Sequence, residues 1–312
     1  MKRFQFTLAL VLGSVLAAGE VQAYVNGVYA SGLLVPLSVH DGIGDTTAVG
    51  LVTHGCDEPN DATPGATIYW TFFDRDSRHV TDGQFQMTDD DIHPFVWAAE
   101  SGLGLENTEG YLVFAADTDG DGALLGFDAA CLAGEAFQVV ASDQDVAYKP
   151  VWPLHGYDFD FFFVPDLAHM KATSITTLIE GARDLAGAGG NGLLVMRYSV
   201  AAGDATQLVI WSAESIGGPG AVYTVNLYDD EQNRRSVNLA LPGGEQSRID
   251  PAAIAGRPGD FVNGFIEWRT PDDAAGQYVD NGFFDGNGIA SYSVLHSAAF
   301  SARQTILNPH RR

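Results

Sequence analysis

The feature that most constrains the fold of this chain is a regular succession of short apolar segments separated by turn residues. Clusters of Gly, Pro, Asn and Asp lie between these segments, and such residues favour turns over helix or strand interiors. Helical periodicity is confined to residues 166–185, where it is weak. Short strands at regular spacing predict an all-β sandwich or barrel. The clearest β-branched or aromatic segments are residues 33–39, 48–52, 67–73, 83–87 and 111–114.

The second half of the chain resembles the first half in the same order. LLVPLSV at 33–39 matches LLVMRYSV at 193–200, and DTTAVGLV at 45–52 matches DATQLVIW at 204–211. The offset stays between 154 and 161 residues, which predicts an internal duplication of whole domains. The alternative is that two unrelated sandwiches share strand spacing. Three further matches are 68–78 with 223–233, 110–112 with 264–266 and 136–140 with 291–295.

The duplication divides the chain into two immunoglobulin-like β-sandwiches, residues 24–150 and 188–312, joined by a partly helical linker at 151–187. The linker contains an aromatic run at 157–163, which we interpret as a buried strand or as packing between the domains. An exposed adhesive patch is the alternative. The glycine-rich stretch at 186–192 predicts a flexible join.

Residues 1–23 have the pattern of a secretory signal peptide. Lys2 and Arg3 precede an apolar run at 6–18, and Val21 and Ala23 occupy the −3 and −1 positions of a cleavage site. The apolar run is too short for a membrane span, which needs about 20 residues. We therefore expect an exported chain without a membrane span, beginning near Tyr24 and located in the periplasm, at the cell surface or outside the cell.

Only two cysteines are present, Cys56 and Cys131. In an oxidising compartment an isolated pair favours a disulfide, which closes a long loop and stabilises the fold by about 4 kcal/mol in the chain-entropy model. Two free buried thiols are one alternative. Half of a zinc site, with His54 beside Cys56, is the other.

The charge balance excludes polyanionic partners. The chain has 40 acidic residues against 16 basic ones, with a formal net charge of −24. No basic stripe is available to neutralise phosphates, so nucleic acid and anionic membranes are repelled. With 46% hydrophobic and 11% aromatic residues, the chain has enough apolar side chains for packed cores and is not a disordered acidic polymer.

Part of this acidity is concentrated in one 12-residue loop, DTDGDGALLGFD at 117–128. Carboxylates stand at positions 1, 3, 5 and 12 of the loop, and Gly122 at position 6 permits a sharp turn. Ca²⁺ prefers six to eight oxygen ligands, and this spacing delivers them from one short segment. A solvated acidic turn is the alternative, because Asp-Gly is common in turns.

The segment resembles the EF-hand calcium loop, and more closely the dockerin-type variant with Asp at position 12. The resemblance covers these 12 residues alone, since the entering segment at 111–116 has the pattern of a strand. It implies one Ca²⁺ with a dissociation constant of about 10⁻⁵ to 10⁻³ M. The implied ligands are the side chains of Asp117, Asp119, Asp121 and Asp128 and the carbonyl oxygen of Ala123.

Signatures of catalysis are missing from the sequence. It contains no Gly-x-Ser-x-Gly, no His-Glu-x-x-His and no Cys-x-x-Cys. His40 and His93 are candidates for a triad, although each is better explained as a loop residue. We therefore predict a non-enzymatic surface, matrix or adhesion-type protein that binds an extracellular protein or glycan. The alternatives are a carbohydrate-binding accessory protein, with Trp70 and Trp268 as stacking platforms, and a secreted hydrolase.

Overall fold

The structure is a computed structural model that describes residues 28–56, 65–120, 122, 129–154, 192–271 and 288–311. These residues form eighteen strands and one four-residue helix, α1 (Trp97–Glu100). The first nine strands are β1 (Gly32–Ser38), β2 (Thr46–Thr53), β3 (Gly65–Asp74), β4 (His79–Thr88), β5 (Ile92–Val96), β6 (Gly110–Asp117), β7 (Leu132–Val140), β8 (Asp145–Lys149) and β9 (Trp152–Leu154). The other nine are β10 (Leu193–Ser199), β11 (Asp204–Ser212), β12 (Val222–Asp229), β13 (Arg234–Ala240), β14 (Gln246–Ile249), β15 (Asn263–Arg269), β16 (Ile289–Ser297), β17 (Ala302–Leu307) and β18 (His310–Arg311).

The strands form four antiparallel sheets, two in each half of the chain. The first half contains a five-stranded sheet, β4-β3-β6-β1-β9, and a four-stranded sheet, β5-β2-β7-β8. The second half contains the sheets β13-β12-β15-β10-β18 and β14-β11-β16-β17. The prediction of an all-β sandwich architecture is therefore confirmed.

The two halves have the same strand order. Each strand of the first half has a counterpart nine places later in the same position of the equivalent sheet. All five of the sequence matches fall on equivalent strands. A duplication of one domain would give two halves with the same topology. Common ancestry of the halves stays a prediction.

The sheets establish a sandwich architecture without fixing its finer class. In the five-stranded sheet, β6 lies between β1 and the β3–β4 hairpin. The immunoglobulin-like character of the two sandwiches stays a prediction.

Each sandwich encloses a core between its own two sheets. In the first half, Phe72, Trp97 and Phe114 lie fully buried in this core. In the second half, Leu227 and Trp268 occupy the corresponding core. In β12 and β13, buried and more exposed residues alternate along part of the strand, because successive side chains point to opposite faces of the sheet.

A third core, which we call the shared core, lies between the two sandwiches. It joins the outer face of the β4-β3-β6-β1-β9 sheet to the outer face of the β14-β11-β16-β17 sheet. The inner strands of the first of these sheets are therefore covered on both faces, and every residue of β1 and β6 is buried. The shared core consists of Leu34, Leu37, Phe73, Tyr111, Val113, Ala115, Trp152 and Leu154 from the first sandwich and Val209, Trp211, Ala213, Ala290 and Tyr292 from the second.

A proline in β1 creates a polar connection across this core. Pro36 has no N–H to donate, and the pairing of β1 with β6 shifts register between Val35 and Ser38. Leu37 takes a positive φ of 51° at this bulge. Its N–H donates to Oε1 of Gln246 in the second sandwich at 2.6 Å, while Nε2 of Gln246 donates to the carbonyl of Gly110 at 2.9 Å.

The predicted end of the first sandwich, at residue 150, can be compared with the structure. Trp152–Leu154, placed in the linker by the sequence, forms β9 and pairs with β1, so the first sandwich extends to Leu154. The signal peptide at 1–23, the aromatic run at 157–163 and residues 186–191 of the predicted flexible join lie outside the described residues. In the part of the chain that the structure describes, no helix has the length and apolar character needed to cross a membrane.

Candidate functional site

The predicted calcium loop begins at the buried end of β6. Asp117 is the last residue of that strand, and it is buried although it carries a carboxylate. Its Oδ1 accepts the N–H of Gly120 at 2.6 Å, and its Oδ2 accepts the N–H of Gly122 at 3.0 Å. The segment that enters the loop is the strand β6, as the sequence predicts, so the loop is not preceded by the helix of an EF-hand.

A second carboxylate lies close to the first one. Burial raises the pKa of Asp117, the two backbone N–H groups lower it, and the neighbouring Asp119 raises it again through a hydrogen bond and charge repulsion. A divalent cation bound between two neighbouring carboxylates would offset the repulsion that acts on Asp117. The other three implied ligands, Asp121, Ala123 and Asp128, lie outside the described residues.

The base of this loop is fixed by a hydrogen bond and a disulfide. Oγ1 of Thr118 accepts the N–H of Ala129 at 3.2 Å. Two residues later, Cys131 is bonded to Cys56 with a Cα–Cα distance of 5.1 Å, which confirms the predicted disulfide. Free thiols and a zinc ligand at Cys56 are both excluded by this bond, because neither sulfur is available as a thiolate.

A small cluster of further metal-ligating groups lies on the surface near the disulfide. Ligand atoms of His54, Asp89 and Asp90 lie within 4.8 Å of one another. Nδ1 of His54 is already 2.6 Å from Oδ1 of Asp90, and Oδ1 of Asp89 accepts the N–H of Cys56 at 3.0 Å. These contacts connect the segment at His54 and Cys56 to the turn at Asp89 and Asp90, and they explain the three side chains without a metal ion.

The two tryptophans considered as sugar platforms are buried. Trp70 is 5% exposed and meets Phe95 and Trp97 edge to face, with Gly83 close to its indole ring. Trp268 is 0% exposed and packs on Tyr223. Neither ring offers a face to a glycan. Both belong to sandwich cores, where large aromatic side chains contribute most of their apolar area.

One hydrogen bond resembles part of a hydrolase triad. Nε2 of His40 lies 2.9 Å from Oγ of Ser101, and both residues are buried. Within the described chain, Nδ1 of His40 has no hydrogen-bond partner, whereas a catalytic histidine needs an orienting group there. The carboxylate of neighbouring Asp41 instead accepts the N–H groups of Ile43, Gly44 and Asp45.

The junction of the sandwiches contains a polar cluster that the sequence did not reveal. Glu245, just before β14, accepts hydrogen bonds from Ser77 and from Tyr111, whose hydroxyl is 3.1 Å from Oε2. The backbone N–H of Glu245 donates to the carbonyl of Arg75 at 3.1 Å. Burial raises the pKa of Glu245 to about 7, the hydrogen bonds from Ser77 and Tyr111 oppose this, and Asp74 adds to it.

Comparison with known proteins identified no relative of this chain: no protein-family model, no curated protein and no solved structure matches it.

We predict that Glu245→Gln changes how stability depends on pH. Between the ordinary carboxyl pKa of 4.5 and about 7 only the folded state holds the proton, so wild-type stability falls as pH rises through this window. Glutamine keeps a hydrogen-bonding side chain without ionising. Its free energy of unfolding relative to wild type should therefore rise by about 3 kcal/mol between pH 4.5 and pH 8.

Urea denaturation at both pH values measures this difference. Glu231→Gln removes an exposed carboxylate in the turn between β12 and β13 and serves as the charge-matched control. It should follow the wild-type pH dependence. An equal pH dependence for Glu245→Gln and wild type would show that Glu245 does not titrate in the predicted window.

Proposed function

We propose that this chain is an exported, non-enzymatic surface or matrix protein in which the loop at 117–128 binds one structural Ca²⁺. The observation that carries the proposal is the buried carboxylate of Asp117, held at the end of β6 beside Asp119 and next to the Cys56–Cys131 disulfide. Its partner is an extracellular protein or glycan.

The electrostatics of the loop support a cation. A buried carboxylate is costly unless a charge or hydrogen bonds compensate it. Asp117 has two backbone N–H donors, but the charged group that acts on its pKa is another carboxylate, Asp119. Four carboxylates in the register of a calcium loop supply the hard oxygen ligands that Ca²⁺ prefers.

The position of the loop supports a structural role for this ion. The loop connects β6, which is buried on both faces, with β7, which begins one residue after Cys131. A cation bound there holds together the two strands and the disulfide that links β7 to the segment after β2. Binding to the folded state alone then adds stability that increases with calcium concentration.

The architecture supports a binding or scaffolding protein. The shared core holds the two sandwiches against each other, and their exposed surface is strongly acidic. A disulfide and an N-terminal signal pattern are features of chains that function in an oxidising compartment. The His40–Ser101 pair lacks an orienting carboxylate among the described residues, so the hydrolase alternative gains no support from it.

Calorimetric titration of the mature chain with CaCl₂ tests the calcium site. We expect one site with a dissociation constant of about 10⁻⁵ to 10⁻³ M. Ten millimolar CaCl₂ should raise the melting temperature, since a free calcium concentration about 10 to 1,000 times the dissociation constant adds about 1.4 to 4.1 kcal/mol of stability. Asp119→Asn removes an exposed ligand without disturbing the core and should weaken binding at least tenfold.

Asp260→Asn is the matched control, because it removes an exposed carboxylate of the second sandwich and should leave calcium binding unchanged. The absence of heat and of a melting shift up to 10 mM CaCl₂ would refute the calcium site. Equal binding by wild type and Asp119→Asn would place the ion elsewhere.

Export predicts a processed N-terminus. Mass spectrometry of the protein recovered from outside the cytoplasm should give a chain that starts at Tyr24, with Cys56 and Cys131 oxidised. Ala23→Leu should block processing, because the −1 position needs a small residue, whereas Gln22→Leu at the unconstrained −2 position should not. Recovery of a chain that retains residues 1–23 in the cytoplasm would contradict the proposal.

A further inference from the structure

A cleft of about 350 Å³ lies between the two sandwiches, at the edge of the shared core. The β1–β2 loop, β7 and β8 form one wall, and β11, β14, β16 and β17 form the other. Its apolar lining includes Val39, Val140 and Val294. This volume is within the range of sites that hold small organic molecules.

The cleft contains a buried lysine. Lys149 is 2% exposed, and its Nζ donates to the carbonyl of Leu37 and, at 2.9 Å, to Oγ1 of Thr47. An ammonium group has three N–H donors, so one remains beyond these two bonds. Among the described residues no carboxylate forms an ion pair with it, although the chain has 40 acidic residues.

A second cation acts on Lys149. Burial and, to a smaller extent, the guanidinium of Arg248 lower the pKa of Lys149 to about 7. Arg248 also lines the cleft, where its only described ion pair is with Glu109. A buried cation that faces a second cation is destabilised until an anion lies between them.

A third donor lines the cleft without a partner. Tyr292 is fully buried, and its hydroxyl has no hydrogen-bond partner in the described part of the chain. Leaving a buried hydroxyl unsatisfied costs about 1–3 kcal/mol. Burial raises the pKa of the Tyr292 hydroxyl, and the guanidinium of Arg248 opposes this rise. Arg248 therefore acts on both Tyr292 and Lys149.

The other charged groups of the cleft are already engaged. Asp41 accepts three backbone N–H groups, and Asp45 accepts the N–H of Ala141 at 2.8 Å. Arg303 is paired with Asp143 and Asp145, and His40 is hydrogen-bonded to Ser101. Lys149 and the Tyr292 hydroxyl retain donors for a ligand, and the positive charges of Lys149 and Arg248 favour an anionic acceptor.

We propose that this cleft binds a small organic carboxylate, whose oxygens accept hydrogen bonds from the Lys149 ammonium and the Tyr292 hydroxyl beside the guanidinium of Arg248. The valine side chains of the lining cover its hydrocarbon part. The site is built from both sandwiches, and binding therefore also strengthens their association. It is separate from the calcium loop and does not depend on the proposed calcium binding.

Isothermal titration of the mature protein with butyrate at pH 6, at constant ionic strength in chloride buffer, tests the proposal. We expect saturable binding of one butyrate per chain. Tyr292→Phe removes a single hydroxyl from a packed position and should weaken binding about tenfold. Lys149→Met should abolish binding, since it removes the central cation.

Arg235→Gln is the control for charge, because it removes an exposed cation on β13 and should bind butyrate like wild type. Lys149→Met also removes the hydrogen bond to Leu37, so its folding is checked by circular dichroism. If that variant does not fold, the Tyr292→Phe titration decides. Absence of saturable butyrate binding to wild type, or wild-type affinity in Tyr292→Phe, would overturn the proposal.

Discussion

The burial of both faces of β1 and β6, inner strands of the β4-β3-β6-β1-β9 sheet, is the constraint on which the rest of the molecule depends. An isolated sandwich leaves its outer faces to water, and the sequence of such strands alternates between apolar and polar residues. Here β1 and β6 are buried throughout, so their outer side chains need a second apolar surface. The β14-β11-β16-β17 sheet supplies it, with Val209, Trp211 and Tyr292. The two sandwiches therefore stabilise each other.

Polar groups set the register of this packing. Pro36 interrupts the hydrogen-bond ladder of β1, and the bulge leaves the N–H and the carbonyl of Leu37 outside the pairing with β6. Gln246 of the second sandwich accepts from the N–H, and Lys149 donates to the carbonyl. Apolar packing alone tolerates small shifts. The hydrogen bonds of Gln246 to Leu37 and Gly110 cross between the sandwiches and favour one relative position, because a shift leaves these buried groups unsatisfied. The same lysine lies in the cleft for which we propose a carboxylate ligand.

The sequence predicted the sandwich architecture because short apolar segments and turn residues are local signals. The disulfide was also predictable, since the chain has only two cysteines. The burial of Trp70 and Trp268 was not, because which face of a strand is covered depends on partners far along the chain. The contacts of Gln246 and Glu245 with residues more than 130 positions away have no local signature either. The acidic loop was found from the sequence because its predicted ligands lie within 12 residues, whereas the cleft was missed because its lining comes from eight separate segments.

Native-state hydrogen exchange tests the mutual stabilisation of the two sandwiches most directly. If the shared core couples the two sandwiches, backbone amides in the centres of β11 and β16 exchange through the same unfolding event as those of β1 and β6. Their opening free energies then agree within about 1 kcal/mol and fall together in added urea. The account is contradicted if the amides of β10 to β17 open at a free energy several kcal/mol below that of β1 and β6, because the second sandwich would then unfold while the first stays intact.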